Sequence, residues 1–412
     1  MTPAALRALL RDCFTASLRR VGLRGRVAQA LASADIEPPA HVLAVGKAAP
    51  AMLAGAVEAL GKHVIDALLI TTDGTDVPRM PTCCRVLRAA HPVPDARSLH
   101  AAHEAMLFAS HATQGTFVVL VSGGTSSLLC SPPVGVSLAD FQSLMLSLNA
   151  RALPIRDLNT LRRHLSRVHG GALAAASFTR VFSAIASDVI DGEPHDVGSG
   201  PACSDPTTIG DAAAVLREAL PSGVSQRWIP LLRETLKPSE ENALRMAARV
   251  VVHPKVFADI VRDELANRGM VARSASLPHL RAESLVAHLV HIAEALQPGH
   301  ALALTCEPTL TLPSNPGKGG RAGWVALASM LQLPIDVALL CGATDGVDGS
   351  SDAAGACVSG DLHAPAMTAR HKHALDRRDD AAIHEVLGTH LPGHPAGLNL
   401  TDVYVVARTL AG

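Results

Sequence analysis

A short hydroxyl-rich loop is the first stretch of the sequence whose residue types could do chemistry. It follows an apolar run, residues 117–121, that is typical of a buried strand, and it precedes a predicted helix. The loop consists of Ser122, Gly123, Gly124, Thr125, Ser126 and Ser127. Consecutive backbone N–H groups backed by a helix dipole can bind a phosphate or a carboxylate, and glycine allows the close approach. A tight turn whose hydroxyls only cap the helix explains the pattern equally well.

A second glycine-rich loop, residues 315–323, carries two cations immediately before another predicted helix. Its glycines are Gly317, Gly319 and Gly320, and its cations are Lys318 and Arg321. Backbone donors beside a guanidinium suit the phosphates of a nucleotide or the oxygens of a phosphoryl group in transfer. A flexible surface turn with two exposed bases is the alternative. The loop also matches G-x-G-x-x-A, but it begins about ten residues after the preceding strand, which argues against a dinucleotide fingerprint.

Acidic residues cluster after two predicted strands. The segment 186–201 places Asp188 at a strand end, and the segment 341–356 places Asp345 and Asp348 in the same way. Short Asp-Gly loops suit Mg²⁺, which takes one or two carboxylates together with phosphate and water oxygens. The same residue types form Asx turns and helix N-caps, so a purely structural role is the alternative.

Lys47 is the fourth candidate because of where it falls in the chain. It directly follows the predicted strand at residues 41–46 and opens a predicted helix. Its ammonium group is therefore expected to lie over the carboxyl end of a strand, where it would bind an anion. An ordinary surface lysine is the alternative.

The elements that carry these candidates follow one pattern along the chain: short β-like runs alternate with longer segments of helical period. That order predicts an α/β protein with a mostly parallel sheet, whose ligands bind at the carboxyl ends of its strands. With 412 residues the chain exceeds the usual size of one hydrophobic core. We therefore predict two domains, residues 1–235 and 245–412, separated by the polar, proline-bearing segment 236–246.

Composition excludes several classes of partner. Aromatic residues make up 2% of the chain and the formal net charge is −1, so neither base stacking nor electrostatic attraction favours a nucleic acid or an anionic membrane. No apolar stretch approaches the roughly 18 residues that span a bilayer. The eight cysteines form no C-x-x-C pair, which fits a reducing cytoplasm. The arginine-rich N-terminus resembles a transit peptide in composition, but its helical spacing favours an ordinary first helix facing the core.

Taken in order, these motifs resemble those of the glycerate 2-kinase family, whose second half is the MOFRL domain. The resemblance covers nearly the whole chain, and its longest motif is "LNTLRRHLSRVHGGALA" at residues 158–174. The other matching motifs are, in chain order, VGKAAPAM at 45–52, HPVPD at 91–95, SGGTSSLL at 122–129, SDV at 187–189, SGP at 199–201, EPT at 307–309, GKGGR at 317–321 and TDGVDGSSDAAGA at 344–356.

The resemblance implies two α/β domains, an N-terminal Rossmann-like one and a MOFRL-like one, with the active site in the cleft between them. It implies transfer of the γ-phosphoryl group of ATP to the 2-hydroxyl of D-glycerate, with Mg²⁺. Catalysis would rest on Lys47, Arg321 and Asp188, and metal binding on Asp188, Asp345 and Asp348. The residues implied for substrate or phosphate binding are His91, Ser122, Gly123, Gly124, Thr125, Ser126, Asn159, Arg162, Gly317, Lys318, Gly319 and Gly320. Which loop holds which anion stays open, as does assembly as a homodimer.

The chain departs from the family pattern at several positions. Ala322-Gly323-Trp324 stands where the family has Asn-Gln-Glu, His169 replaces a lysine, and Asp191-Gly192 replaces Gly-Asp. The C-terminal motif keeps only Asn399 and Asp402 of its polar residues. A kinase for a related hydroxy acid and a non-catalytic metabolite- or nucleotide-binding relative are therefore alternatives. A hydroxypyruvate reductase is a further one, although the only candidate nicotinamide fingerprint is misplaced.

Overall fold

The computed structural model describes residues 1–149, 151, 153–190, 192–362, 368–393, 398 and 400–410. Asp191 and Asn399, two of the positions compared above, lie outside the described residues. The strands are β1 Ala40–Val45, β2 Val64–Thr72, β3 Cys84–Ala89, β4 Thr116–Ser122, β5 Arg180–Ala186, β6 Met246–Val252, β7 Val271–Ser276, β8 His300–Cys306, β9 Val337–Ala343, β10 Ala353–Ser359, β11 His390–Pro392 and β12 Asp402–Arg408.

Sixteen α-helices lie in the described part of the chain. They are α1 Pro3–Arg20, α2 Leu23–Ala32, α3 Ala49–Leu60, α4 Ala96–His111, α5 Thr125–Leu128, α6 Leu138–Asn149, α7 Ile155–Leu165, α8 Ala172–Ala175, α9 Ile209–Ala219, α10 Ser222–Trp228, α11 Glu241–Leu244, α12 Pro254–Ala266, α13 Ala282–Ala295, α14 Arg321–Met330, α15 Thr368–Arg377 and α16 Ala381–Leu387. Among the described residues no helix is both long enough and apolar enough to cross a membrane.

The chain divides into two compact units. Residues 23–251 form one, which we call the sheet-A unit, and residues 1–22 with 252–412 form the other, the sheet-B unit. These bounds differ from the predicted domains in two places. The segment 236–246 leads directly into β6, which is the last strand of the first sheet, so the chain leaves the sheet-A unit only after that strand.

Helix α1 is the second difference, because it belongs to the sheet-B unit although it precedes the sheet-A unit in the sequence. The prediction of an ordinary first helix facing the core is confirmed. Its buried stripe includes Leu6, Leu10, Cys13 and Phe14, and the helix packs against α12, β9 and β10. Sequence periodicity shows that a helix has a buried face, but it does not show which sheet covers that face.

The sheet-A unit is built on a six-stranded sheet in the order β3-β2-β1-β4-β5-β6. The four strand pairs from β3 to β5 are parallel, and every residue of β1 and β4 is buried, as expected of strands covered by helices on both faces. In the register, Val45 pairs with Val121, and Ser122 pairs with Ala186. The carboxyl ends of β1, β4 and β5 therefore meet at one edge, and the predicted Rossmann-like arrangement is confirmed.

The sheet-B unit contains a mixed sheet in the order β11-β10-β9-β12-β8-β7. Strand β12 runs antiparallel to both β8 and β9, and its first residue, Asp402, pairs with Cys306 on one side and Ala343 on the other. The start of β12 therefore lies between the carboxyl ends of β8 and β9. Polar residues that follow those two strands come close to Asp402 for that reason.

A buried ion network supports the sheet-A unit. The side chain of Arg163 is 2% exposed, and its guanidinium lies 3.0 Å from Asp205 Oδ2 and 3.4 Å from Asp196 Oδ1. Asp205 also accepts hydrogen bonds from Thr207 and Thr235. Burial alone would raise the pKa of Asp205, but Arg163 and these donors together lower it. Asp205 therefore stays ionised in the interior, and its charge is balanced by Arg163.

We expect Arg163→Met to lower the free energy of unfolding by about 3–5 kcal/mol, because it leaves two buried carboxylates without their counter-charge. Urea denaturation measures the change. Arg156→Met, on the exposed side of the same helix α7, is the matched control and should change the free energy by under about 0.5 kcal/mol. A loss of less than about 1 kcal/mol in Arg163→Met would contradict a stabilising role for the network.

Candidate active site

The loop after β1 and the loop after β4 are locked together in the sheet-A unit. Gly46 has φ +121°, and a Cβ on it would lie 2.1 Å from Ser122 Oγ, so only glycine fits. Ser122 Oγ accepts a hydrogen bond from the backbone N–H of Ala48 at 3.1 Å, and the N–H of Lys47 donates to the carbonyl of Gly123 at 3.0 Å. The position of Lys47 is thereby fixed relative to the hydroxyl-rich loop.

Lys47 and His91 flank Gly124 within that loop. Gly124 has φ +90°, and a Cβ built on it would lie 3.2 Å from His91 Cδ2 and 3.4 Å from Lys47 Cγ. Lys47 and Gly124, which the sequence placed at separate strand ends, are therefore neighbours of each other and of His91, which only the family resemblance had named. The arrangement presents an ammonium and an imidazole beside the Gly-Gly turn, which suits a small anion.

The hydroxyls of the loop have structural partners. Thr125 Oγ1 donates to the carbonyls of Val45 and Ser122, and both Ser122 and Thr125 are fully buried. The following helix α5 has only four residues. The capping-and-turn alternative therefore accounts for these two hydroxyls, and any anion at this loop would rely on backbone donors, Lys47 and His91. Binding of a phosphate or carboxylate by the loop stays a prediction.

A hydrogen-bonded chain links the loop to Asn159 and Arg162. Ser126 Oγ lies 2.9 Å from Ser199 Oγ, which lies 3.4 Å from Asn159 Oδ1, and Arg162 Nη1 donates to the same Oδ1 at 3.3 Å. Burial lowers the pKa of Arg162 from its ordinary value. An anionic ligand would stabilise the charge of this incompletely solvated guanidinium, so Arg162 is well placed to bind one. Ser199, at φ +59°, joins the site; the sequence analysis named it as part of the SGP motif but not as a site residue.

Asp188 follows β5 at the same sheet edge. It is half-buried and lies two residues after Ala186, the register partner of Ser122. The Ser187 hydroxyl bonds to both the N–H and the carbonyl of Val189, which holds this turn. The structure therefore brings Asp188 to the edge that carries Lys47 and the hydroxyl-rich loop, as the sequence predicts.

Arg321 begins helix α14 in the sheet-B unit and pairs with two carboxylates. Its Nη1 lies 3.1 Å from Glu307 Oε1, and its Nε lies 3.3 Å from Asp402 Oδ2. Asp402, and then Glu307, raise the pKa of Arg321 well above its usual range. At Asp402, burial has a larger effect than the opposing charge of Arg321, and it raises the pKa of Asp402 to about 7. Glu307 and Asp402 orient the guanidinium, a role that the sequence did not reveal.

The glycines of the second loop are packed against carboxylates. A Cβ would lie 2.3 Å from Asp379 Cβ at Gly317, 2.1 Å from Asp380 Oδ1 at Gly319 and 2.2 Å from Asp348 Cγ at Gly320. Asp379, Asp380 and Asp348 therefore account for the glycine run without a ligand. Phosphate binding by Gly317, Gly319 and Gly320 stays a prediction.

Lys318 is engaged within the same loop. Its backbone N–H donates to Asp379 Oδ1 at 3.0 Å, and its Nζ lies 2.5 Å from Asp352 Oδ2. The ammonium is exposed, and Asp352 raises its pKa. Phosphate binding by Lys318 stays a prediction and would have to compete with this ion pair.

Asp348 caps helix α14. Its two carboxylate oxygens accept hydrogen bonds from the N–H groups of Ala322 at 3.0 Å and Gly323 at 2.7 Å. Asp345 Oδ1 accepts from the N–H of Val347 at 3.3 Å, as in an Asx turn. Across the described ranges, no three His, Cys, Asp or Glu side chains converge as a metal cage. The structural alternative thus explains Asp348, whose role as a metal ligand stays a prediction.

Asp380 is a buried acid that the sequence gave no signal to find. It is 1% exposed, and burial, reinforced by the charge of Asp348, raises its pKa to about 7. Because the pKa is higher than in the unfolded chain, the folded state binds the extra proton between about pH 4 and pH 7. The free energy of unfolding should therefore fall as the pH rises through that window, by on the order of 4 kcal/mol.

Asp380→Asn is expected to remove this pH dependence. Relative to the wild type, the variant should gain stability between about pH 5 and pH 7.5, because it no longer loses a proton there. Urea denaturation of both proteins at each pH measures the difference, and effects of other titrating groups cancel in it. A difference that is the same at both pH values would show that Asp380 does not titrate in this range.

Four of the positions that depart from the family pattern lie in the interior. Ala322, Gly323 and Trp324 are buried, and Trp324 Nε1 donates to the carbonyl of Leu375 while the Arg378 guanidinium lies 4.7 Å from its ring centroid. His169 is also buried, and burial lowers its pKa to about 3. The position where the family has a lysine is therefore neutral in this chain.

The fold and these residues define a two-unit α/β protein that places cations and backbone donors at the carboxyl ends of parallel strands. Residues 9–230 match a domain of unknown function (DUF4147), and residues 300–402 match the MOFRL family. The chain belongs to the family that combines these two domains. The MOFRL assignment of the second half of the chain, inferred from the motifs, is thereby confirmed.

Two of the relatives carry different names. A glycerate 2-kinase of Pyrococcus horikoshii is 28% identical over 406 residues, covering 91% of this chain and 88% of its own. An Agrobacterium vitis protein provisionally named hydroxypyruvate reductase is 34% identical over 347 residues, covering 78% of this chain and 75% of its own. The crystal structure of glycerate kinase from Thermotoga maritima superposes with a TM-score of 0.83 at 26% identity, over 98% of this chain and all of that one.

Proposed function

We propose that this protein is a kinase that transfers the γ-phosphoryl group of ATP to the 2-hydroxyl of D-glycerate. The observation that carries the proposal is the convergence of Lys47, His91 and the Gly123-Gly124 turn at one sheet edge, within reach of the chain that ends in Arg162. This set of cations and backbone donors suits a small carboxylate or phosphate. The glycerate kinases among the relatives support the choice of reaction and acceptor.

Phosphoryl transfer needs positioning and charge neutralisation more than covalent chemistry by the protein. Lys47 is fixed by its backbone bond to Gly123, and Arg321 is fixed by two carboxylates, so neither cation must be ordered when substrate binds. We assign both as catalytic cations that neutralise the transferring group. Asp188 would accept a hydrogen bond from the acceptor hydroxyl.

Mg²⁺ fits the donor set. A magnesium ion supplies charge neutralisation at the phosphates when bound, and it needs only one or two protein carboxylates. Asp188 and Asp345 follow strands β5 and β9 in short loops, and are the residues that would hold it. Asp348 is the weaker candidate because both of its oxygens already accept backbone hydrogen bonds.

A reductase acting on hydroxypyruvate is the second candidate, favoured by the name of the Agrobacterium vitis relative. The structure offers it little support. The G-x-G-x-x-A match begins at Gly317, eleven residues after β8 ends at Cys306, and its glycines pack against Asp379, Asp380 and Asp348. Carboxylates at those positions would repel a pyrophosphate, and they weigh equally against phosphate binding by Gly317, Gly319 and Gly320 in a kinase. A dinucleotide fingerprint should instead lie directly after a strand.

An ADP-release assay with ATP, Mg²⁺ and D-glycerate tests the proposal. We expect turnover, with ³¹P NMR placing the new phosphate on the 2-oxygen. D-Lactate, which keeps the carboxylate and the 2-hydroxyl in the same configuration but lacks the 3-hydroxyl, serves as a matched acceptor that tests the specificity. Absence of ADP formation with D-glycerate and with related hydroxy acids would refute a kinase. NADH binding together with hydroxypyruvate-dependent NADH oxidation would establish the reductase instead.

A further inference from the structure

A cavity of about 390 Å³ lies inside the sheet-B unit, apart from the Arg321 side chain. It is lined by described residues from three segments, 318–323, 348–355 and 379–392. Pockets that hold small molecules begin at roughly this volume. Gly323 leaves room at this wall of the cavity, because a Cβ at position 323 would lie 2.2 Å from Asp380 Oδ2. The cavity therefore depends on a residue at which this chain departs from its family pattern.

Asp380 in the cavity wall carries an unused acceptor. The residue is 1% exposed, and its Oδ1 has no hydrogen-bond partner in the described part of the chain. Buried polar atoms are nearly always paired, and an unpaired carboxylate oxygen is among the costliest exceptions. The cavity beside it offers room for a donor from outside the protein.

The charges of the wall show which kind of donor would fit. Five carboxylates line the cavity, those of Asp348, Asp352, Asp379, Asp380 and Glu385, whereas Lys318 is the one ammonium among the lining residues and pairs with Asp352. The amino end of helix α14 adds only about half a positive charge. The lining His384 is buried with Nε2 bonded to the carbonyl of Gly323, and burial lowers its pKa to about 4, so it is neutral. Negative charge predominates even though Asp380, whose pKa is raised to about 7, is partly protonated near neutral pH.

Apart from the hydroxyl of Ser351 and the imidazole of His390, the rest of the wall is apolar, and its apolar side chains are those of Ala353, Ala381, Ala382 and Pro392. A bare divalent ion would leave that surface in contact with water, and the described residues contain no three-ligand metal cluster. A compact apolar body with one positive group matches both parts of the wall. We propose that this cavity binds a small organic cation, an ammonium or amidinium on a short apolar body, through an ion pair with Asp380.

Benzylamine is the probe, and benzyl alcohol is its neutral counterpart of nearly the same shape. Isothermal titration of the full chain, without ATP or glycerate, should give a Kd at least tenfold lower for benzylamine than for the alcohol. Asp380→Asn should raise the Kd for benzylamine at least tenfold. Asp376→Asn, an exposed acid on helix α15 outside the cavity, should leave it unchanged. Because no kinase substrate is present, the result is independent of the proposed reaction.

Ala382→Leu provides a second test that removes no charge. Ala382 is exposed and lines the cavity, so a larger side chain should narrow the entrance and weaken benzylamine binding without loss of the fold. If Asp380→Asn fails to fold, Ala382→Leu still tests whether benzylamine binds in this cavity. Equal affinity for benzylamine and benzyl alcohol, no binding of benzylamine, or binding unchanged in both cavity variants would overturn the proposal. Mg²⁺ binding that is lost in Asp380→Asn would also overturn it, in favour of a metal site.

Discussion

Lys47→Met is expected to lower kcat for ADP formation with D-glycerate by about 10²–10³-fold, the usual cost of removing one preorganised donor from a transition state. Methionine keeps the length and apolar packing of the stem and removes only the ammonium. The N–H of residue 47 donates to the Gly123 carbonyl, and the N–H of Ala48 donates to Ser122 Oγ. Neither hydrogen bond involves the side chain of residue 47, so both should survive the substitution. The fold should therefore persist while the chemistry is lost.

Steady-state kinetics on the wild type and on Lys47→Met measure this effect, with circular dichroism confirming the fold. Lys62→Met is the matched control, because Lys62 is exposed in the short turn after α3 and should leave kcat unchanged. A larger change in KM than in kcat would indicate that Lys47 binds the ground state and transition state equally. Lys47→Met turning over within threefold of the wild type would remove Lys47 from the catalytic assignment.

Arg321→Lys is expected to lower kcat by about 10³-fold or more, within the range that arginines contribute to phosphoryl transfer. Lysine retains the positive charge but lacks the planar guanidinium that contacts Glu307 and Asp402 at once. The lysine ammonium would form an ion pair with Glu307 or with Asp402, but it would not be held at the position of the guanidinium. The prediction therefore concerns geometry, with charge conserved.

The control for this variant is Arg281→Lys, since Arg281 is exposed and its pairing with Glu283 is loose at 3.6 Å. Asp402→Asn tests the positioning role separately. It should lower kcat less than Arg321→Lys does, and shift the pH profile of kcat, because Asp402 has its pKa raised to about 7 by burial. Wild-type kcat in Arg321→Lys would show that Arg321 is structural.

Strand-end residues could be predicted from the sequence because parallel strands share one direction. Once β1, β4 and β5 were recognised as apolar runs separated by helices, Lys47, the hydroxyl-rich loop and Asp188 had to meet at one edge. That inference needed no knowledge of side-chain packing. It is the part of the candidate site that the α/β pattern determines.

The environment of the second loop could not be predicted in this way. Asp379 and Asp380 lie about 60 residues from the glycines they contact, in a run of charged residues that resembles an exposed helix end. No period or spacing links the two segments, and only tertiary packing brings them together. The capping role of Asp348 was foreseen as an alternative, but a choice between capping and metal binding requires the positions of the N–H groups of Ala322 and Gly323.

The membership of helix α1 in the sheet-B unit has a consequence for synthesis on the ribosome. The ribosome makes this helix before the residues it packs against, which begin roughly 230 positions later, at Val252. At common elongation rates of about 5–20 residues per second, its apolar stripe waits on the order of 10 to 50 s for its partners, while the sheet-A unit folds in between. During that interval Leu6, Leu10 and Phe14 lack the apolar partners that bury them in the folded protein, so this stripe is a surface through which a nascent chain can aggregate.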